Sequence, residues 1–409
     1  RHSEGNDAGN RRANNGGAAE LLGEFGRDSV GNGVQPVSGT GVRAGASDLG
    51  VNYADTDKPL QEKREVGNGT FSEYKPTWVS VPGAKPHPTP LVESTAMASV
   101  LPPKPTYKPI LPESAIKKGQ PSDAQIEQIV YAGQAHEKFL PNGERKGYFI
   151  GDGTGVGKGT EISGIIYDNF AHGRKKAVWV SKSSDLLLDA KRDLETFGLG
   201  DGVFDFTNAK KAAPKEGIAF LSYDGLSRGV DFDSNGNVTD GAARTNYRRL
   251  ADWLGVPSDY DGLIVFDESH KAGNATAQRG KRGTKKASLR GQVVVALQKE
   301  FPKARVLYVS ATGATEVSNL AYATRLGLWG KGTAFGDREQ FVEKVSAGGL
   351  SVMEIVARDM KSMGDYMART LSYEGIVNRK LEHRLSPDQI RRYDEFADAW
   401  RMVSENINS

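Results

Sequence analysis

The stretch GYFIGDGTGVGKGTEISGIIYDNFA, residues 147–171, limits what this chain can fold into more than any other segment. A short apolar run ending Phe149-Ile150-Gly151 passes into Asp152-Gly153-Thr154-Gly155-Val156-Gly157-Lys158-Gly159-Thr160 and then into an apolar helical pattern. Strand, glycine-rich loop and helix in that order make a phosphate loop. Gly153, Gly155 and Gly157 lack the Cβ that would keep backbone N–H groups from crowding around an anion. The helix start adds its dipole and its free N–H groups, and Lys158 is placed to reach the β- and γ-phosphates of ATP. Two positions depart from the general pattern: Asp152 stands where the first glycine is expected, and Gly159 follows the lysine in place of Ser or Thr. The hydroxyl that helps hold Mg²⁺ is therefore displaced, or supplied by Thr160. The alternative is a glycine-rich strand–helix turn with no ligand.

The surrounding pattern extends the α/β reading. Short runs, apolar on both faces, occur at 147–151, 176–181, 217–222, 262–267 and 304–310, as strands of a helix-covered parallel sheet do. Helical patterns at 158–171, 185–197, 243–254 and 287–300 alternate with them. Such alternation predicts a doubly wound, RecA-like parallel sheet. A further helix, capped by Ser122-Asp123, is expected from 122 to about 139, with Ile126, Ile129 and Val130 at helical spacing.

Upstream, residues 1–58 hold twelve glycines in their first fifty positions and read as a disordered linker. Residues 59–121 carry twelve of the 18 prolines, and a run such as Pro82-Gly83-Ala84-Lys85-Pro86-His87-Pro88-Thr89-Pro90 forbids regular helix or central strand. They form either a spacer or an extended arm packed on the next domain through Leu91, Val92, Met97, Val100 and Leu101. The ATP-binding domain is expected over 122–330, and a mostly helical, more charged extension over 331–409. The chain opens Arg1-His2-Ser3-Glu4 and is read as a fragment of a longer protein. With no cysteine, disulfides and thiolate metal sites are excluded. That fits a reducing, cytoplasmic-type compartment, and no apolar stretch approaches a membrane span. A net charge of +3 is too mild to imply nucleic acid unless the basic surface is local.

Two further strand ends carry chemistry. Leu263-Ile264-Val265-Phe266 ends in Asp267-Glu268-Ser269-His270. Adjacent carboxylates at a buried strand end are costly without a cation. Asp267 would hold Mg²⁺, Glu268 would orient and deprotonate the attacking water, and His270 would sense the γ-phosphate. Val306-Leu307-Tyr308-Val309 leads into Ser310-Ala311-Thr312, also at the carboxyl end of a strand, where ligands bind in such folds. Ser310 and Thr312 would couple the ATP site to a nucleic-acid groove. A surface turn remains the alternative for each motif.

Lys158, D-E-S-H and S-A-T in this order resemble the first motor lobe of a superfamily 2 helicase. The stretches GYFIGDGTGVGKGTEISGII, DESHKAGN, SATGATEVSNLAYATRLGLWGKGTAF, HPTPLVESTAMASV and LSYEGI are similar to the strawberry notch family of helicase-like ATPases, with a likeness to its bacterial and phage members. The resemblance implies an ATP- and Mg²⁺-dependent motor acting on nucleic acid, DNA rather than RNA. It implies that Gln125 reads the adenine edge, against the simpler reading of an exposed polar helix residue. It also implies that transition-state arginines come from a second lobe, in the same full-length protein or a partner chain, toward which residues 381–389 lead.

No acidic residue lies between Glu268 and Glu300, while Lys271, Arg279, Lys281, Arg282, Lys285, Lys286 and Arg290 do. A flexible basic loop there would contact phosphates without reading sequence, or be a solvated charged loop. Lys182 and Ser183, and Tyr223, follow the strands at 176–181 and 217–222, and in related motors such strand ends touch the nucleic-acid backbone. Two other classes remain open: a nucleotide-binding scaffold in an antirestriction or transcription-regulating protein, and a small-molecule P-loop kinase. The intact Lys158, Asp267, Glu268 and His270 argue against the first. A kinase needs neither the D-E-x-H and S-A-T pairing nor a basic insertion.

Overall fold

The computed structural model describes residues 52–53, 70–209, 213–239, 245–273, 275, 278–280, 283–285, 287–312, 320–376, 379 and 381–408. Chain contacts group residues up to Ser372 as one unit and Tyr373–Ser409 as another. The expected boundary at 330 thus falls inside the first unit. The expected linker, 1–58, lies outside the described residues except for β1 (Asn52–Tyr53).

The Pro-rich segment is a packed arm. It contributes β2 (Phe71–Tyr74), β3 (Val79–Ser80), β4 (Leu91–Ser94) and two short helices, α1 (Thr95–Ala98) and α2 (Glu113–Lys118). Leu91, Met97, Leu111 and Ile116 are buried, whereas Leu101 is exposed. Prolines serve here as acceptors: Trp78 Nε1 donates to the Pro102 carbonyl at 2.8 Å, and the Tyr131 hydroxyl to that of Pro103 at 2.7 Å.

Helix α3 (Asp123–His136) starts at the expected cap, with Ser122 and Gln125 closing a capping box. It is almost wholly buried between the arm and the main sheet. The sheet then builds as the apolar runs dictate: β5 (Tyr148–Ile150), α4 (Lys158–Ala171), β6 (Lys176–Ser181), α5 (Leu187–Glu195), β7 (Val203–Asp205), β8 (Gly217–Ser222), α6 (Tyr223–Ser227), α7 (Asn246–Leu254) and β9 (Leu263–Asp267). A hairpin of β10 (Gln278–Gly280) and β11 (Gly283–Lys285) follows, then α8 (Leu289–Glu300) and β12 (Arg305–Val309). Helix α9 (Arg338–Met363), broken at Gly349, leads back to β13 (Tyr366–Met367), and β14 (Thr370–Leu371) joins the arm.

Seven strands form one parallel sheet in the order β13-β5-β12-β9-β6-β8-β7. Its faces are covered by two apolar clusters, one including α3, α4 and the arm, the other α7, α8 and α9. This is a RecA-like doubly wound architecture, as the alternating pattern predicts. Each fully buried Val, Leu, Ile or Phe in it contributes about 1.5–3 kcal/mol. The second unit contains α10 (Pro387–Asn408), whose Ser386 and Gln389 cap each other.

Candidate nucleotide site

Three neighbouring strands end together. In register, Ile150 of β5 lies beside Val309 of β12, and Val309 beside Asp267 of β9. Ser310 N donates to the Ile150 carbonyl at 3.0 Å. The residues that follow these strands, the phosphate loop, Ser310-Ala311-Thr312 and Glu268-Ser269-His270, therefore share one rim of the sheet. That rim is where ligands bind in open α/β folds.

The loop has the backbone that its glycines were expected to permit. Gly155 and Gly157 have φ of 91° and 93°, a region that side chains oppose. Val156 is fully buried between them and anchors the loop, while Thr154 and Gly155 face outward. Gly157 is the residue before α4, so the N–H groups of Lys158 and Gly159 open the helix, while Thr160 N donates to the Gly157 carbonyl at 2.9 Å. Lys158 arches back, its Nζ 3.4 Å from the Gly153 carbonyl.

Gln125 does not stand free for an adenine edge, nor is it an exposed helix residue. Its Oε1 accepts from Ser122 N at 2.9 Å, and its Nε2 donates to the Val156 and Gly157 carbonyls at 2.9 and 3.3 Å. The amide oxygen is committed to the α3 capping box, and the amide nitrogen braces the phosphate loop.

Asp267 is held from several sides. Oδ2 accepts from Ser181 Oγ at 2.8 Å and Trp179 Nε1 at 3.4 Å, and Oδ1 from Glu268 N at 2.9 Å. Burial pushes its pKa up, opposed by the Ser181 hydrogen bond and reinforced by the neighbouring Glu268 charge. A buried carboxylate that resists ionising is relieved by a cation, so the donor set fits Mg²⁺. Among the described residues no cluster of three or more His, Asp or Glu side chains could hold a metal alone. Mg²⁺ held by one or two carboxylates plus a ligand's phosphates needs no such cluster.

Glu268 has φ 48° and ψ 44°, the sole positive φ of a non-glycine among the described residues. Left-handed backbone at such a residue costs on the order of 1–3 kcal/mol and concentrates at functional sites. His270 Nδ1 lies 3.4 Å from Glu268 Oε2 and 3.1 Å from Ser310 Oγ. Burial lowers the His270 pKa against the pull of Glu268, favouring the neutral ring. Ser310 Oγ in turn accepts from Thr312 N at 3.2 Å. A continuous polar chain thus runs from Glu268 to Thr312, joining the two motifs that the sequence treats as separate.

The nucleic-acid candidates divide. Lys182 and Lys271 are exposed, and Ser183 caps the turn that precedes α5. Tyr223 is a correction: it is buried, and its hydroxyl donates to the Asp267 carbonyl at 2.9 Å. It supports the acidic strand end and is closed to a nucleic-acid backbone. The basic insertion contains the β10–β11 hairpin, paired Gln278↔Lys285 and Gly280↔Gly283, where an unstructured loop is expected. Arg279 and Lys285 lie on its strands, and Lys281, Arg282 and Lys286 lie outside the described residues. Arg290 is spent on Asp224, at 2.7 Å.

Sequence reasoning missed Trp179 and Gln128, and it placed Ser181, with Lys182 and Ser183, at a strand end facing nucleic acid where the structure bonds it to Asp267. Gln128 Nε2 donates to Asp152 Oδ1 at 3.0 Å. It also missed Arg369, whose guanidinium bonds both Asp152 and Glu161. No spacing signal could have found Arg369, which lies 217 residues from Asp152.

A parallel sheet with a glycine phosphate loop, a carboxylate pair and a hydroxyl turn on one rim defines a P-loop NTPase. Residues 86–395 match the family described as P-loop containing NTP hydrolase pore-1, and the chain belongs to that family, as a homologue of the strawberry notch proteins. It is 41% identical to Protein strawberry notch of Drosophila melanogaster over 86% of this chain and 21% of that protein. It is 39% identical to Protein FORGETTER 1 of Arabidopsis thaliana over 84% of this chain and 26% of that one. The chain thus spans about a fifth to a quarter of the length of these relatives. Among solved structures, the Sulfolobus solfataricus SWI2/SNF2 ATPase core domain aligns with a TM-score of 0.40 at 16% identity, covering 68% of this chain and 50% of that chain.

Proposed function

We propose that this chain is the nucleotide-binding lobe of an ATP-dependent, helicase-type motor acting on nucleic acid, DNA in preference to RNA. The observation that carries this reading is the Ile150–Val309–Asp267 register, which brings the phosphate loop, the acidic pair and the Ser310 turn to one rim.

In this reading the N–H groups of Thr154, Gly155 and Gly157 in the loop and of Lys158 and Gly159 at the α4 start bind the phosphates, those of Gly153 and Thr160 being held by the Arg369 and Gly157 carbonyls, and Lys158 moves from the Gly153 carbonyl to the γ-phosphate. Asp267, with Thr160, would hold Mg²⁺, whose charge would offset that of the phosphates. Glu268 orients a water and takes its proton. Its carboxylate stands against a neutral His270, so the change in charge at Glu268 is felt at Ser310 and Thr312 through the polar chain. Lys182, Lys271 and the β10–β11 hairpin supply phosphate contacts that do not read sequence. Rapid turnover requires arginines from a second, similar lobe. The scaffold alternative is disfavoured by the strained Glu268 backbone, a cost that a site without chemistry has no reason to keep.

The test is nucleotide binding and ATPase rate with and without single-stranded or duplex DNA. Lys158→Ala is expected to abolish nucleotide binding, and Glu268→Gln to bind but not turn over. Hydrolysis at the parent rate by Glu268→Gln removes Glu268 as the general base. A DNA-independent rate in the presence of a second lobe favours the scaffold.

A further inference from the structure

The chain runs a second strand alongside the phosphate loop. Beyond the short β5–β13 ladder, Gly151 N donates to the Met367 carbonyl and Gly153 N to the Arg369 carbonyl, both at 2.7 Å. A Cβ on Gly153 would lie 2.8 Å from Thr370 Oγ1, and one on Gly155 2.7 Å from Leu371 Cδ1. Residues 366–371 therefore wall the loop from Gly151 to Gly155.

Arg369 is the fixed point of that wall. Its backbone N donates to Asp152 Oδ1 at 2.9 Å, and Nε lies 3.2 Å from each Asp152 oxygen. Its terminal nitrogens reach Asp152, Glu161 (2.8 Å) and the Ala124 carbonyl. Tyr74 lies with its ring centroid 5.1 Å from the guanidinium carbon. Arg369, Asp152 and Glu161 are all buried. Asp152 opens the loop, and Glu161 sits one turn into α4, past Lys158.

We infer that Arg369 is a positioning residue that pins both ends of the phosphate loop, and so sets the loop's readiness for the nucleotide. One guanidinium faces two carboxylates, and Glu161 Oε2 has no hydrogen-bond partner. Burial, then the Asp152 charge, push the Glu161 pKa up. A node that serves stability alone would do better with apolar residues of similar volume. This one spans the loop's two ends, where preorganisation of phosphate donors has its effect. It also accounts for the aspartate that replaces glycine at position 152.

The inference rests on the nucleotide-site reading, and two measurements separate them. The first needs no nucleotide: hydrogen exchange of the 409-residue chain and of Arg369→Lys. Lysine keeps the charge but lacks the planar fork with which Arg369 holds Asp152 through Nε and a terminal nitrogen while also reaching Glu161 and the Ala124 carbonyl. Exchange at 151–157 is expected to quicken at least tenfold in the variant, while that of 263–267 is unchanged. The second is titration with a fluorescent ATP analogue, in which the variant's Kd is expected to rise at least tenfold at temperatures where it is fully folded. Where Arg369→Lys does not fold, the neutral triple variant Asp152→Asn/Glu161→Gln/Arg369→Met takes its place, with the same expectations. Loop exchange at the parent rate in a folded variant overturns the role of Arg369, as does parent affinity for nucleotide. Failure of the parent chain itself to bind the analogue overturns the nucleotide-site reading, and the role of Arg369 with it.

Discussion

Gly159 and Asp193 compete for one space: a Cβ on Gly159 would lie 1.8 Å from Asp193 Oδ2. The glycine that breaks the phosphate-loop pattern is thus matched by a carboxylate on α5. Restoring the usual hydroxyl with Gly159→Thr forces Asp193 aside and is expected to cost about 1–3 kcal/mol of stability. Asp193→Ala makes room. In denaturant melts of the two single variants and the double, the double should be more stable than the sum of the singles, by on the order of 1 kcal/mol. Strict additivity would show that the two sites do not share the space.

His136 ends α3 with its ring fully buried, Nε2 3.0 Å from the Val306 carbonyl. Burial is the largest cause of a pKa pushed down to about 3, from an ordinary value of 6.5. The folded state keeps the ring neutral where the unfolded chain takes up a proton. Stability attributable to this group is therefore intact above pH 6.5 and is lost progressively as pH falls from there toward 3. By pH 5 the loss is about 2 kcal/mol. Melts of the parent and of His136→Gln between pH 7 and 5 should show the slope in the parent and a reduced slope in the variant. Equal slopes would clear His136 of the effect.

Arg325 is buried and donates to four backbone carbonyls, those of Arg145 (3.0 Å), Pro302 (2.9 Å), Phe301 (2.8 Å) and Gln298. Two of them, on Gln298 and Phe301, close the carboxyl end of α8. Arg325→Met leaves these acceptors without donors and should destabilise the chain by about 3–5 kcal/mol. A change under 1 kcal/mol in urea unfolding would mean that other donors replace it.

The Ser181 hydroxyl holds Asp267 toward its ionised form against burial. Only the carboxylate binds a cation, so Mg²⁺-dependent nucleotide affinity should fall as pH drops through the raised Asp267 pKa. Ser181→Ala removes a stabiliser of the anion and moves that acid limb to higher pH. Titrations of the fluorescent analogue with Mg²⁺ across pH 4.5–8 would reveal it. An acid limb at the same pH in both proteins would detach Ser181 from the behaviour of Asp267.

The five central strands were legible because each is apolar on both faces, a pattern that only a covered parallel sheet rewards. The phosphate loop, the acidic pair and the hydroxyl turn were legible because their chemistry is packed into a few adjacent residues. What escaped was non-local or too short. Val203–Asp205 and Tyr366–Met367 have three and two residues, below any periodicity. Prolines in the arm suppressed the reading of β2 and β4, although they only bracket those strands. Tyr223 was placed correctly along the chain but faces inward, because Ser222 caps a helix there and turns the next residue under β9. Gln125 illustrates the same limit: its position was noticed, while its partners, 31 and 32 residues on, were not readable.

The wall of residues 366–371 is also the last stretch of the first unit, which ends at Ser372. Tension applied to the chain beyond Ser372 would reach Leu371, Thr370 and Arg369 within a few peptide bonds, and through them the cradle at Gly153 and Gly155. The polypeptide leaves this unit alongside its glycine loop, so on the proposed reading a load on the chain beyond Ser372 becomes a load on the grip for phosphate.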